Sequence, residues 1–576
     1  MSEQIVQVAR GQEFPRQFLP FNIDLGQVAE LEKFYQLLQT ELQAVTDIPA
    51  LQLWLSKWSE WDAVLSEELA RRYIAMTCYT ENKDFEAAFL GFVENIQPKL
   101  KTWNDGLSRM YVKQKEKLKF SDPHFAVFEQ RLQNQIALFR KENLPLQTED
   151  EKLGQQYQKL VGAQTVQWKG EEKTLKQVAP LLEETDRALR EEVWRLSSQR
   201  RMQDVDAIDH IYDGQIALRH QRALNAGFKN FRDYQHLSRE RFDYSAEDCL
   251  QFHETIKQFV VPLVAQIRER RKKQMGVASL RPWDLGVDAL GRQPLRPFQN
   301  GAQLAERCAA VFQKMDSELG GYFQKMRELK LLDLENRKGK GPGGYNYPLE
   351  EIRMPFIFMN ASGSHSDVVT LFHEGGHAFH TFLGRKENFT VNRDVPIEFC
   401  EVASMSMEFM TLDSLAAFYE NSEEQRRAYE EQLERSIDIL PWIAIIDAFQ
   451  HWIYLNPKHS RTERAAKFGS LMDTYYAGVD WSGLENEKAY FWQKQSHLFN
   501  SPFYYIEYGI AMLGALQMWL QWRENPQAAL KNYKHALSLG AVKPLPQLFA
   551  AAKINFDFSP KTVQPIVKVL QQELSF

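Results

Sequence analysis

The sequence is poor in cysteine. Four residues of 576, Cys78, Cys249, Cys308 and Cys400, stand far apart and form no CxxC pair. Neither a disulfide framework nor a thiolate metal site is expected from that spacing, and the four read as small buried hydrophobes. Long apolar runs are also missing. The longest nearly apolar stretch, GIAMLGALQMWL at 509–520, falls well short of a bilayer span, so no membrane partner is expected. The opening MSEQIVQVARGQEFPRQ lacks a charged segment followed by an apolar core, which reads as a cytoplasmic chain. A formal net charge of -6 leaves no basic excess for nucleic acid. No internal repeat and no low-complexity tract occurs.

What is present is ordinary globular composition, 44% hydrophobic and 25% charged, in a chain longer than one core usually supports. Two or more lobes follow. Residues 22–275 read as successive amphipathic helices, with apolar residues every three or four positions in LEKFYQLLQTELQAV, FEAAFLGFVENIQPKL and LLEETDRALREEVWRL. The texture changes between 276 and 367, where RPWDLGVDALGRQPLRPFQNG and RKGKGPGGYNYP are loops and RMPFIFMN is the best strand candidate. Helical periodicity resumes at Asp367 and runs on, interrupted near Pro457, Trp481 and Pro502. The expectation is a mainly α protein, divided into an N-terminal helical lobe at 1–200 and a second region at 201–576.

Chemistry concentrates in LFHEGGHAFH, 371–380. On a helix, residues four apart share a face, so His373 and His377 can offer imidazole nitrogens to one cation with Glu374 beside them as general base. The helix starts after Ser364 or Ser366, both able to cap it, and Val368, Val369, Leu371, Phe372, Phe379, Phe382 and Leu383 make it apolar nearly all round. Polar groups in such a segment need partners, and one Zn2+ per chain would satisfy all three. A third ligand at the metzincin position is excluded, since Gly at 380 and His at 383 are required and the residues are His380 and Leu383. Downstream, IEFCEVASMSMEF offers Glu398, Glu401 and Glu408 on a second helix. Glu401 and Glu408 are two turns apart on one face, so Glu401 can complete the coordination while Glu408 orients a ligand imidazole; Glu398 is the runner-up. Gly375 and Gly376 weaken a helix, and the reason expected for them is close approach of another segment.

Several separated stretches resemble one family: NAGFKNFRDY, RFDYSAED, DLENRKGKGPGGY, MPFIFMNASGSHSDVVTLFHEGGHAFH, EVASMSME and HLFNSPFYYIEYG, spread over 225–511. Together they are similar to the thimet oligopeptidase and oligoendopeptidase F group of zinc metallopeptidases, and more to the oligoendopeptidase F branch. The resemblance implies His373, His377 and Glu401 as zinc ligands, Glu374 as base, and His497 with Tyr504, Tyr505 and Tyr508 as substrate and oxyanion contacts. Tyr504 and Tyr508 match best, and which tyrosine donates stays open because this chain has GIAM where thimet-type members carry a further tyrosine. The implied fold is two helical lobes flanking a deep channel, with a small sheet next to the HEGGH helix.

RMPFIFMN, were its edge unpaired, would hold a peptide through backbone hydrogen bonds; a core strand with both edges covered is the alternative. Phe358 and Asn360 on it, Gly343 in the glycine-rich loop, and His365 and His380 beside the motif are candidate substrate or supporting residues. The loop at 339–344 lacks the order of a phosphate loop and reads as a flexible segment or a structural turn. The functional expectation is a zinc oligoendopeptidase cutting internal bonds of short peptides, as a monomer or homodimer. An exo-acting dipeptidyl or carboxypeptidase and a non-catalytic peptide-binding helical protein are the alternatives.

Overall fold

In a computed structural model the chain is described at Arg10 and over residues 13–576. The opening segment read for an export signal lies largely outside these residues. The protein is mainly α, with two small sheets, and among the described residues no helix is long and apolar enough to cross a membrane. It forms two compact units built from interleaved stretches. One comprises the chain up to Ile136, Leu295–Ala428 and Gly514–Phe556; the other comprises Ala137–Pro294, Tyr429–Leu513 and Asp557–Phe576.

The expected interruptions near Pro457, Trp481 and Pro502 coincide with helix ends at Leu455, Tyr475 and Asn500. One piece of the helical N-terminal reading needs correction. In the second unit, β1 (Thr165–Trp168) and β2 (Glu171–Thr174) form an antiparallel hairpin, closed by Lys169 and Gly170 at φ 51° and 83°. A two-residue turn with both φ positive matches the twist of the flanking strands, and Lys-Gly is a weaker signal for it than Asn-Gly. Val166 and Trp168 pack with Val178 and Val193 beneath it.

The first unit has an aromatic core around Trp54, Trp58, Trp61, Trp103 and Tyr111. Its sheet contains β3 (Leu332–Glu335), β4 (Tyr345–Leu349) and β5 (Met354–Ala361) in the order β3-β5-β4. Of the two readings of RMPFIFMN, the covered core strand is the one observed and the open edge is not: β5 pairs in parallel with β3 and antiparallel with β4. Its side chains are buried on both faces at every position but one, so it reads as a continuous apolar run. The glycine-rich loop between β3 and β4 is fastened and not flexible. Gly341 N donates to Thr77 O at 2.7 Å, Thr80 N donates to Gly339 O at 2.8 Å, and Lys340 Nζ donates to the carbonyls of Asp333, Glu335 and Met359.

Against this sheet lies the helix His365–Gly384. Ser364 caps it, its hydroxyl accepting from Asp367 N while the Asp367 carboxylate accepts from Ser364 N, which satisfies two otherwise orphaned amides. The helix runs unbroken through both glycines. A Cβ on Gly376 would stand 2.5 Å from Ala403 O and 2.6 Å from Ser404 Cα, and one on Gly375 would stand 2.8 Å from the Phe312 ring. The backbone of the neighbouring helix, Ile397–Met410, thus fills the space where residue 376 would carry a side chain. Gly376→Ala gains about 0.5–1 kcal/mol of helix propensity and must separate two backbones, an overpacking that costs roughly 1–3 kcal/mol. A lowered thermal midpoint in calorimetry is expected; an unchanged or raised midpoint would show that the helices can part without cost.

Candidate metal centre

The close crossing of these two helices brings three donors together. His373 and His377, one turn apart, stack edge to face with ring centroids 4.9 Å apart. Opposite them, Glu401 Oε2 lies 3.4 Å from His373 Nε2 and 3.9 Å from His377 Nε2. Donor atoms of all three lie within 4.8 Å of one another. Ligand atoms around a tetrahedral zinc stand about 3.4 Å apart for bonds near 2.0–2.1 Å. The set of two imidazoles and one carboxylate therefore fits such an ion in spacing as well as in chemistry, with a coordination position left over. Glu398 is buried on the same helix but is not part of this group.

Supporting contacts fix each donor. Glu408 Oε1 accepts from His373 Nδ1 at 2.7 Å, which fixes the ring so that Nε2 faces Glu401. Ser404 Oγ donates to Glu401 Oε2 at 3.1 Å, and Tyr533 Oη donates to Ala403 O at 2.8 Å. Neither Ser404 nor Tyr533 was singled out from the sequence. Ser404, three residues after Glu401 within EVASMSME, was visible by helical spacing; Tyr533 had no local signal.

The electrostatics are those of buried charge in close quarters. Burial opposes the His373 imidazolium, yet hydrogen bonds and charge from Glu401 and Glu408 hold it well above its ordinary value. Burial, with His373 adding to it against the pull of Glu401, lowers His377 to about 4, so it is neutral at physiological pH. Glu401 is pushed up by burial but pulled further down, to about 2, by His373, His377 and the Ser404 hydroxyl. Glu374 is raised to about 7 by burial, with Glu401 and Glu408 adding to the effect against His373. Its Oε2 is buried without a hydrogen-bond partner, while its backbone carbonyl accepts from Asn346 Nδ2 on β4 at 3.2 Å.

The flanking candidates divide. His365 Nδ1 meets Tyr419 Oη at 2.9 Å. His380 is buried edge-on to Phe399, its Nε2 has no partner, and burial lowers it to about 3, which makes it a neutral core residue. Phe358 is fully buried and stacked on Tyr345, with centroids 4.7 Å apart, so it has no surface to offer a substrate. Asn360 Nδ2 donates to Gly341 O and Gly343 O, both at 2.9 Å, and Gly343 takes φ 97°. Both serve the loop.

His497, Tyr504, Tyr505 and Tyr508 belong to the second unit and form a cluster of their own. The His497 ring lies 5.8, 5.0 and 6.1 Å from those of Tyr504, Tyr505 and Tyr508. Gln495 Nε2 contacts His497 Nδ1 at 2.7 Å, and burial together with Arg239 lowers the imidazole, keeping it neutral.

The family model described as Peptidase family M3 matches residues 180–565. The chain belongs to this family. It is 28% identical over 155 residues to the oligoendopeptidase F homolog of Lactococcus lactis subsp. lactis, covering 27% of this chain and 25% of that protein. It is 22% identical over 336 residues to the chromosomal oligoendopeptidase F of Lactococcus lactis subsp. cremoris, covering 55% and 52%. The chain thus matches about half or less of the length of these curated relatives. In three dimensions it is similar to PZ peptidase A solved with an inhibitor, at 27% identity and a TM-score of 0.86 over 97% of this chain and 99% of that one. The likeness to oligoendopeptidase F drawn from the motifs and the mainly α fold both agree with these matches.

Glu408 contacts the donor set through one imidazole. Glu408→Gln is expected to weaken retention of a divalent cation by about 10- to 100-fold, read by competition with a chelator of known affinity; unchanged retention would show that the carboxylate does not orient His373.

Proposed function

We propose that this chain is a zinc-dependent oligoendopeptidase that hydrolyses internal bonds of short peptides. The observation that carries the reading is the convergence of His373, His377 and Glu401 beside a buried carboxylate, Glu374, with one oxygen unpartnered. Zinc held by His373, His377 and Glu401 would supply Lewis-acid polarisation of the scissile carbonyl and acidification of water.

The remaining work falls to side chains. Glu374, buried beside the three donors with Oε2 unpartnered, sits where a carboxylate can both accept and return a proton. Its Oε2 takes the proton of the attacking water and passes it to the leaving amine nitrogen. Glu408 holds the His373 tautomer, and Ser404 holds the Glu401 carboxylate, so that neither donor must reorganise during the reaction. A donor aimed at the developing oxyanion contributes on the order of 2.7–4 kcal/mol. The resemblance nominates His497 and one of Tyr504, Tyr505 and Tyr508 for that task. Extended peptide would find an unpaired strand edge on β3 or β4, since both edges of β5 are taken. Backbone pairing of that kind accepts many side chains, which favours broad specificity.

The retained Glu374 argues against a purely peptide-binding role, because holding zinc does not require it. Glu374→Gln should keep the metal and lower turnover of an internally quenched peptide by about 10²- to 10⁴-fold, whereas His373→Ala should lose the metal. Undiminished hydrolysis by Glu374→Gln would overturn the assigned role. Peptides blocked at both ends should still be cleaved, and refusal of either block would assign exo-acting cleavage.

A further inference from the structure

A second group of ligand-type side chains is buried in the other unit. Cys249 and His253 are four apart on the helix Ala246–Thr255, and Asp447 and His451 are four apart on the helix Ser422–Leu455. Each pair therefore presents one face of its helix. None of the four is more than 4% exposed. Donor atoms of Cys249, Asp447 and His451 lie within 4.8 Å of one another. Asp447 Oδ2 is 2.8 Å from His253 Nε2 and 3.2 Å from His451 Nε2, with the two imidazole rings perpendicular at 5.6 Å. Cys249 is in no disulfide.

Two atoms of the group have no hydrogen-bond partner, Asp447 Oδ1 and His451 Nδ1. Leaving such atoms dry and unpaired inside a helical core is costly, and native interiors seldom tolerate it. Phe503 stands 5.4 Å from the His451 ring, and the neighbouring His236 spends its Nε2 on Tyr244 O.

We propose that Cys249, Asp447 and His451 form a second divalent-metal site, of the zinc class, with His253 positioning the Asp447 carboxylate. A thiolate and a carboxylate together neutralise a dication, so the bound group would carry no net charge into the core. Sulfur and imidazole donors favour zinc over the oxygen-seeking magnesium and calcium. The His253 Nε2–H donates to Asp447 Oδ2, the kind of outer contact that ligating carboxylates receive in metal sites. Coordination displaces the thiol proton of Cys249 to solvent. Burial of all four residues makes the site structural in role, clamping the two helices. The spacing concealed it, because the two halves are 194 residues apart and only one of the four residues is a cysteine.

The test is metal stoichiometry and cobalt spectroscopy on the full-length protein. Purified protein should carry two equivalents of zinc, and His373→Ala should retain one. That variant, stripped and reconstituted with Co2+ alone, should show the near-ultraviolet sulfur-to-cobalt charge-transfer band of a thiolate ligand. Adding Cys249→Ser should remove the band and the last equivalent. The proposal is overturned if reconstituted His373→Ala shows no sulfur band, a measurement that needs no substitution in the core and does not depend on folding of the Cys249 variant. Retention of the last equivalent by the double variant would overturn it as well. Should His373→Ala keep two equivalents with the band present, the peptidase ligand assignment fails and the second site stands.

Discussion

Everything local to the metal centre depends on how closely two helix backbones approach at Gly376. Imidazoles on His365–Gly384 and a carboxylate on Ile397–Met410 come within 3.4 and 3.9 Å of one another, and the register that places them there has the two backbones in contact at residue 376. A residue without Cβ lets Ala403 and Ser404 press onto the helix. The same residues then acquire second tasks. Ser404 hydrogen-bonds Glu401, and Ala403 O receives the Tyr533 hydroxyl. The residue pressed against Gly376 is thus also the one that hydrogen-bonds the Glu401 carboxylate.

A second constraint is charge. Glu374, Glu401 and Glu408 converge on His373 and His377 in a nearly buried setting, and the shifts they induce are unequal. Glu401, tied to both imidazoles, is held as a strong anion. Glu374, beside them but with an oxygen left unpartnered, is pushed toward neutrality. Two carboxylates on neighbouring helices are thus told apart by their partners: one is suited to hold a cation, the other to shuttle a proton.

Much of this was legible in the residues. The HEGGH spacing, the two-turn interval between Glu401 and Glu408, and the Ser364 cap are all local patterns, readable because a helix converts sequence distance directly into geometry. What escaped depends on distant pairing. RMPFIFMN was recognisable as a strand, but its central position required β3 and β4, which are short and lie in a stretch rich in glycine and proline. The hairpin at Thr165–Thr174 alternates too briefly and turns on Lys-Gly. Phe358 carries the same apolar character whether it faces a channel or a core, and only the stacking on Tyr345 distinguishes the two. Interleaved units, each assembled from three stretches of chain, leave no linker composition to read.

The two clusters follow one construction rule. Each takes a pair of side chains four apart on one helix and closes it with a residue from another, so that rigid backbones and not loops set the donor positions. Their difference lies in what surrounds the donors. Around His373, His377 and Glu401 stands an acid with a free oxygen, partial exposure of both imidazoles, and a helix face that meets a small sheet. Around Cys249, Asp447 and His451 the setting is buried, with His253 engaged by Asp447 and the neighbouring His236 engaged by the Tyr244 carbonyl. A cation at the first can meet a substrate and a base, while one at the second can meet neither. The same helical geometry therefore supports chemistry in one unit and, on the reading proposed above, cohesion in the other.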